Sequence, residues 1–212
     1  MNDTRQTLIR AGADLFLRRS YQGTGINEVL KATGIPKGSF YHFFDSKEAF
    51  GVAVVRFHTE KLYNRWEKIL LDGELMPRER LAVLLSSAAE RLEMQDYSGG
   101  CPLGVMAQEM AALSEPLRLA VREGIDGCIE RLSACICEGR IRGDIAPGID
   151  AATAAECLFY ALQGALIAAK ATHSTDSVNA VRAMFLERLL PRSRPAPDRI
   201  ETGMITAEET GS

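Results

Sequence analysis

Residues 24–50 read TGINEVLKATGIPKGSFYHFFDSKEAF, and their spacing decides the fold. Ile26, Val29 and Leu30 recur at helical intervals, so a first short helix buries one face. Gly34 follows where such a helix ends in a left-handed turn, which glycine adopts without a Cβ clash. Pro36 then fixes the backbone at the start of a second helix, where its missing N–H costs little. That helix, Lys37 to Phe44, carries Lys37, Ser39, Tyr41 and His42 beside apolar Phe40 and Phe44. Two short helices around a tight turn make a helix-turn-helix, the unit that sets a recognition helix into the DNA major groove. Lys37, Tyr41 and Lys47 suit phosphate contacts, which position a protein without reading sequence. Gly38 allows close backbone approach, and Ser39 and His42 have the reach for base edges or phosphates. The plainer alternative leaves Tyr41 and His42 as ordinary surface residues of a three-helix bundle. Phe40 and Phe44, at helical spacing, are expected to hold the helix in the head's core on either reading.

Outward from this stretch, charge is distributed as a DNA-binding head requires. The whole chain of 212 residues carries a net charge of −3, yet residues 1–58 hold eight Lys/Arg against five Asp/Glu. A locally basic head on an acidic body suffices, because salt screens phosphate attraction beyond about 8–10 Å. The modest excess suits a dimer whose two heads share one palindromic site. The hydrophobic share of 46% is ample for a packed core. No run of about 18 uninterrupted apolar residues exists, so no membrane span is expected; Ala151 to Ala171, the most apolar stretch, contains Glu156, Gln163 and Lys170. The N-terminus lacks the apolar core of a signal peptide, and five irregularly spaced cysteines make no disulfide framework. A cytoplasmic protein with reduced thiols is the expectation.

Helical periodicity runs throughout, so the expected fold is all-α. Three helices form an N-terminal DNA-binding domain (residues 1–50), and about six form a helical body (residues 51–190) that carries the dimer seam. Ser46, Ser114 and Asp150 are the expected N-caps of three long helices. The nearly wholly apolar helix from Asp150, paired with the last helix, supplies half of a four-helix dimer interface; an interior helix of a monomer is the alternative. Residues 191–212, proline-rich and poor in apolar side chains, are expected to be a disordered tail.

The head resembles the TetR family of transcriptional regulators. Thr24, Gly34, the run Lys37-Gly38-Ser39-Phe40-Tyr41-His42-Phe43-Phe44 and then Ser46-Lys47-Glu48 carry the likeness, which is close over about the first 60 residues. Gly25 departs from it, where relatives often have a serine cap. The resemblance implies a dimeric repressor of a palindromic operator in double-stranded DNA. It adds Thr24 to the expected DNA-binding residues Lys37, Gly38, Ser39, Tyr41, His42 and Lys47.

A second constellation is Tyr97-Ser98-Gly99-Gly100-Cys101-Pro102-Leu103-Gly104, with Gln108-Glu109 beyond. Cys101 stands at a helix N-terminus, where partial positive charge is expected to lower a thiol pKa and favour the reactive thiolate. Cys128, Cys135 and Cys157 fall on apolar helical faces, where cysteine is an inert small hydrophobe, and no metal-ligand spacing exists. The G-C-x-x-G segment is similar to that of NemR-type electrophile-responsive TetR repressors and the related acrylate-responsive ones. That likeness implies an electrophilic or oxidising effector that modifies Cys101, with Lys170 close by to tune the thiolate. Alternatively Cys101 lines a pocket for a non-covalent small organic ligand, and Lys170 merely closes its helix or snorkels to solvent. A thiol-dependent enzyme is the remote reading, since no histidine has a base's setting and no catalytic or cofactor motif occurs.

Overall fold

The computed structural model describes residues 2–148 and 150–192, and the fold rests on those; the expected tail lies almost wholly outside them. Among the described residues there are nine α-helices and no strand. The head consists of α1 (Asn2–Arg19), α2 (Ile26–Thr33) and α3 (Lys37–Phe43). The body follows as α4 (Lys47–Leu70), α5 (Pro77–Met94), α6 (Pro102–Met110), α7 (Glu115–Ile141), α8 (Ala151–Thr172) and α9 (Asp176–Met184). The chain continues past α9 through Phe185–Leu189 at the wider π spacing.

The caps read from sequence are in place. Ser46, Ser114 and Asp150 accept from the backbone N–H groups of Ala49, Leu117 and Thr153 at 3.0, 3.2 and 2.9 Å. Each satisfies a donor that the first helical turn leaves unpaired. Gly34 ends α2 at φ 68°, with its N–H bonded to the Leu30 carbonyl. Gly25 begins α2 without a side chain to cap it, and Glu28 reaches back to the Gly25 N–H at 2.8 Å. Arg19 holds the same carboxylate at 2.8 Å, and the Gly25 bond, followed by Arg19, keeps the Glu28 carboxyl below its ordinary range. The absent serine is thus offset from the far end of the capping box.

Phe40 and Phe44 form the head's core, as the spacing predicts. Phe40, Phe44 and Phe50 make a triangle with ring centroids 5.0–5.4 Å apart, and Phe16 joins at 5.9 Å. Aromatic burial of this size, with edge-to-face geometry, fixes a small three-helix unit. Because Phe50 belongs to α4, the recognition helix is packed directly on the helix that leads into the body. The sequence division at residues 50 and 51 falls inside α4, so head and body share one rod of about 36 Å.

In the body, α7 packs against α4, α5, α6 and α8. Arg80 of α5 is buried there, donating to the Leu70 and Leu75 carbonyls and pairing with Glu138 at 2.8 Å. A buried guanidinium is tolerable only with such partners. α8 is by length and hydropathy apolar enough to cross a membrane, yet one face packs on α7 and α9. Its other face leaves Tyr160 and Ile167 each 56% exposed, and Cys157, expected on a buried face, is exposed as well.

Candidate functional site: recognition helix and effector cavity

The first site is the outer surface of α3. Lys37, Gly38, Tyr41 and His42 are exposed and Ser39 half-buried, on the side opposite Phe40. A Cβ added at Gly38 would meet nothing within 4 Å, so the backbone there is open to approach. Lys37 Nζ lies 5.9 Å from the Tyr41 ring centre, a cation–π distance that keeps both groups on one face. Lys47, at the start of α4, stacks its ammonium 4.4 Å from the Tyr21 ring. Burial lowers its pKa, while Glu109 and Glu28 oppose that shift.

Thr24 corrects the sequence expectation. It is fully buried, and its hydroxyl donates to the Ser20 carbonyl at 2.8 Å. A side chain spent on closing the α1–α2 turn has no atom left for DNA. The threonine is there to satisfy a buried carbonyl.

The second site is a cavity of about 360 Å³ between α4, α5, α6 and α8, reached also by Leu17 of α1. Cys101 lines it from the N-cap of α6, as the diglycine and Pro102 predict. The thiol differs from expectation in its acidity. Burial pushes the Cys101 pKa up; hydrogen bonds from the Gly104 backbone, the Gln163 side chain and the Leu103 backbone, and the Arg65 charge, oppose this without overcoming it. The helix N-terminus does face the sulfur, but loss of water outweighs it in an apolar wall. Gly104 permits the Gln163 contact: a Cβ there would stand 2.8 Å from the Gln163 amide oxygen.

Lys170 is exposed and is not among the residues lining the cavity. The arginines on the cavity wall are Arg65 from α4 and Arg91 from α5, with exposed Lys61 of α4 beside them, and the Arg65 charge is the one that acts on Cys101. Sequence reasoning missed both arginines, because helical spacing puts each on an ordinary amphipathic face and only the packing of α4 on α5 brings them together. His58 also lines the wall; burial lowers its pKa, so it is neutral there, and Nε2–H donates to the Ala13 carbonyl at 3.2 Å. Cys128 and Cys135 are buried, each thiol pushed up to about 12, and suit the inert role expected of them.

Cavity and head are joined through α6. Cys101 caps its start, and Glu109 near its end accepts the backbone N–H groups of Tyr21 and Gln22 at 2.9 and 3.3 Å. A second tie follows at once, where the Ser114 hydroxyl donates to Glu48 of α4 at 2.6 Å. The first contact clamps the head's first turn against α6, and the second fixes the α6–α7 junction to the start of α4.

Comparison with known proteins fits this two-part geometry. Residues 8–54 match the model for bacterial regulatory proteins of the tetR family, and residues 77–185 match that for tetracyclin repressor-like C-terminal domains. The chain belongs to the TetR family. It is 30% identical to the transcriptional regulator AcuR of Cereibacter sphaeroides, over 89% of this chain and 86% of that protein. It is 37% identical to the transcriptional repressor NemR of Escherichia coli, over 66% and 70% of the two chains. The repressor DhaR of a Mycobacterium species is 31% identical over 88% of this chain and 92% of its own. The crystal structure of reduced E. coli NemR superposes with a TM-score of 0.82 at 31% identity, covering 92% of this chain and all of that one. A TetR regulatory protein from Rhodobacter sphaeroides gives 0.79 at 30% identity, covering 85% and 95%. TetR-family regulators bind operator DNA and small-molecule effectors and form dimers. This protein is accordingly a transcriptional regulator and not an enzyme.

The α6 tie makes a direct prediction. Glu109→Ala removes the acceptor of two N–H groups and should cost about 1–3 kcal/mol locally. Amide hydrogen exchange should accelerate at Tyr21 and Gln22 while α7 amides stay protected; unchanged exchange at those two residues would discard the tie.

Proposed function

We propose that this regulator is a dimeric repressor, and that a small compound entering the cavity at Cys101 makes it release its operator. The observation carrying this reading is that one nine-residue helix has Cys101 at its cavity end and Glu109 at the head. A compound seated at Cys101 needs room that α6 must yield, and displacing α6 loosens the Glu109 clamp. The heads then lose the spacing that two half-sites demand. Its working parts are residues 1–50, which meet DNA through Lys37, Gly38, Ser39, Tyr41, His42 and Lys47, and residues 51–190, which sense and dimerise. Acting on DNA, it works in the cytoplasm.

The effector is electrophilic in the leading form of the proposal. With an unsaturated carbonyl compound, the Cys101 sulfur bonds to the β-carbon as the thiol proton leaves. The carbon–carbon π pair moves to the α-carbon, which takes up a proton. The raised thiol pKa favours a second form, a ligand held without a covalent bond, since little thiolate exists at neutral pH. The two forms separate in an operator-release assay with benzoquinone and methyl vinyl ketone. If Cys101 is the sensor, Cys101→Ser stays on DNA while wild type leaves. The wild-type rate should then climb about tenfold per pH unit from 7 to 9 without levelling, because thiolate is the attacking form and the thiol titrates above its ordinary range. Equal release of both proteins would leave only the non-covalent form.

Contacts on the head are tested by salt. Lys37→Ala should lower the slope of log affinity against log salt by about one, as expected for one lost phosphate contact. Tyr41→Ala should weaken operator binding at unchanged melting temperature. Unchanged affinity in either variant removes that residue from the interface.

Dimerisation is assigned to α8 and α9, where Tyr160, Ile167 and Met184 are exposed on the face turned from the body. A half-exposed apolar row of this kind is what a two-fold helical interface covers. Ile167→Glu should yield a folded monomer by light scattering, with operator affinity lost; a dimer that persists would move the interface elsewhere.

A further inference from the structure

Arg65 and Arg91 are the unusual groups of the cavity. Both are half-buried on its wall, one from α4 and one from α5. No aspartate or glutamate lines the cavity, and neither guanidinium has a hydrogen bond or ion pair among the described residues. Other half-buried arginines of the body differ among themselves: Arg131 holds Glu67 at 2.6 Å and Arg78 holds the Leu190 carbonyl at 3.1 Å, whereas the Nε atoms of Arg140 and Arg182 have no hydrogen bond among the described residues. Arg65 and Arg91 are set apart by lining one cavity together. Burial lowers the pKa of both cavity arginines, and for Arg65 the charge of Arg91 lowers it further. Two like charges, partly stripped of water and facing each other, are costly to keep unless something negative arrives.

The rest of the wall limits what that something is. Leu62, Trp66, Leu84, Leu92, Leu162 and Leu166 surround the guanidiniums with apolar surface. Neutral His58 adds no charge, exposed Lys61 adds a third cation to the wall, and the N-terminus of α6 points its partial positive charge the same way. A cavity of about 360 Å³ holds a body of drug-fragment size. We infer that Arg65 and Arg91 form an anion subsite, and that the effector is a small carboxylate with an apolar body: the carboxylate on the two guanidinium forks, the body against Trp66 and the leucines. Guanidinium forks match carboxylate geometry two bonds at a time, and removal from water strengthens those bonds. A doubly charged phosphate would lose more hydration among these leucines than one carboxylate does.

The inference rests on the cavity being the effector site, but not on Cys101 reacting. Its test therefore uses compounds without an electrophilic carbon: 3-phenylpropanoate, hexanoate and benzoate, with 3-phenylpropanamide and phenyl phosphate as controls. Full-length protein is followed by melting temperature at fixed ionic strength and by operator release. At least one carboxylate should raise the melting temperature and release DNA from wild type and Cys101→Ser alike, with the amide inactive. Arg65→Gln and Arg91→Gln should each weaken that carboxylate roughly tenfold to a hundredfold, the loss of charge-assisted bonds. Both variants relieve the mutual repulsion, so they should melt no lower than wild type without ligand. Arg91→Lys, which keeps the charge but not the fork, should fall between. The inference is overturned if no carboxylate acts, if the amide or the phosphate acts as well, or if the glutamine variants respond like wild type. Quinone release in Arg65→Gln and Arg91→Gln reports separately on the Cys101 reading, which survives any of those failures.

Discussion

A single carboxylate ties the first turn of the head to the far end of the cavity helix. Glu109 accepts two adjacent backbone N–H groups from the turn between α1 and α2, at the point where the head would otherwise meet the body only through α4 and side-chain packing. Backbone donors in a turn must find an acceptor, and a charged acceptor is the stronger choice. Lys47 lies nearby, its ammonium on the Tyr21 ring and within the field of Glu109 and Glu28. Three elements therefore share one patch of charge: the α1–α2 turn, the start of α4 and the end of α6. The orientation of α3 follows, because its Phe40 is locked against Phe50 of α4.

The same economy appears at the cavity. α4 contributes Arg65 and Trp66 to the wall and Phe50 to the head, so a single helix is both the sensor's side and the recognition helix's support. His58 adds a cross-tie from that wall to Ala13 of α1. Helices of packed proteins shift as units rather than bend smoothly, so a displacement at one end must be taken up at the other. Coupling here needs no long relay of residues. It needs only that α4 and α6 each reach from the cavity wall to the head, α4 through Phe50 and α6 through Glu109.

How much of this was legible in the sequence depends on how local the cause is. Caps, the Gly34 turn and the aromatic spacing of α3 are set by neighbours a few residues away, so Ser46, Ser114, Asp150, Phe40 and Phe44 were read correctly. The family likeness led to the cavity at Cys101 in the same way, through a short contiguous motif. What failed was tertiary. Thr24 has a DNA-facing residue's chemistry, but its hydroxyl is consumed by the Ser20 carbonyl, a burial no spacing reveals. Lys170 is near the end of the apolar helix as expected, yet the cavity wall that Cys101 shares carries Arg65 and Arg91 in its stead. Nothing in either helix's own pattern pairs those arginines. The pairing exists only once α4 and α5 are side by side.

The acidity of Cys101 shows how such effects must be weighed. A helix N-terminus contributes about half a charge, spread over several N–H groups, and its benefit to a thiolate falls off within a turn. Desolvation acts on the whole charge of the thiolate, and it wins here. A thiol shielded in this way is protected from indiscriminate alkylation, so under the proposed covalent form the cavity must first hold the compound in place. If the compound brings a negative charge to Arg65 and Arg91, it also neutralises Arg65, the cation whose charge favours the thiolate. Binding and ionisation then oppose each other at this site. A carboxylate effector is thereby better suited to act by occupying the cavity, and a neutral electrophile by reacting with the thiol.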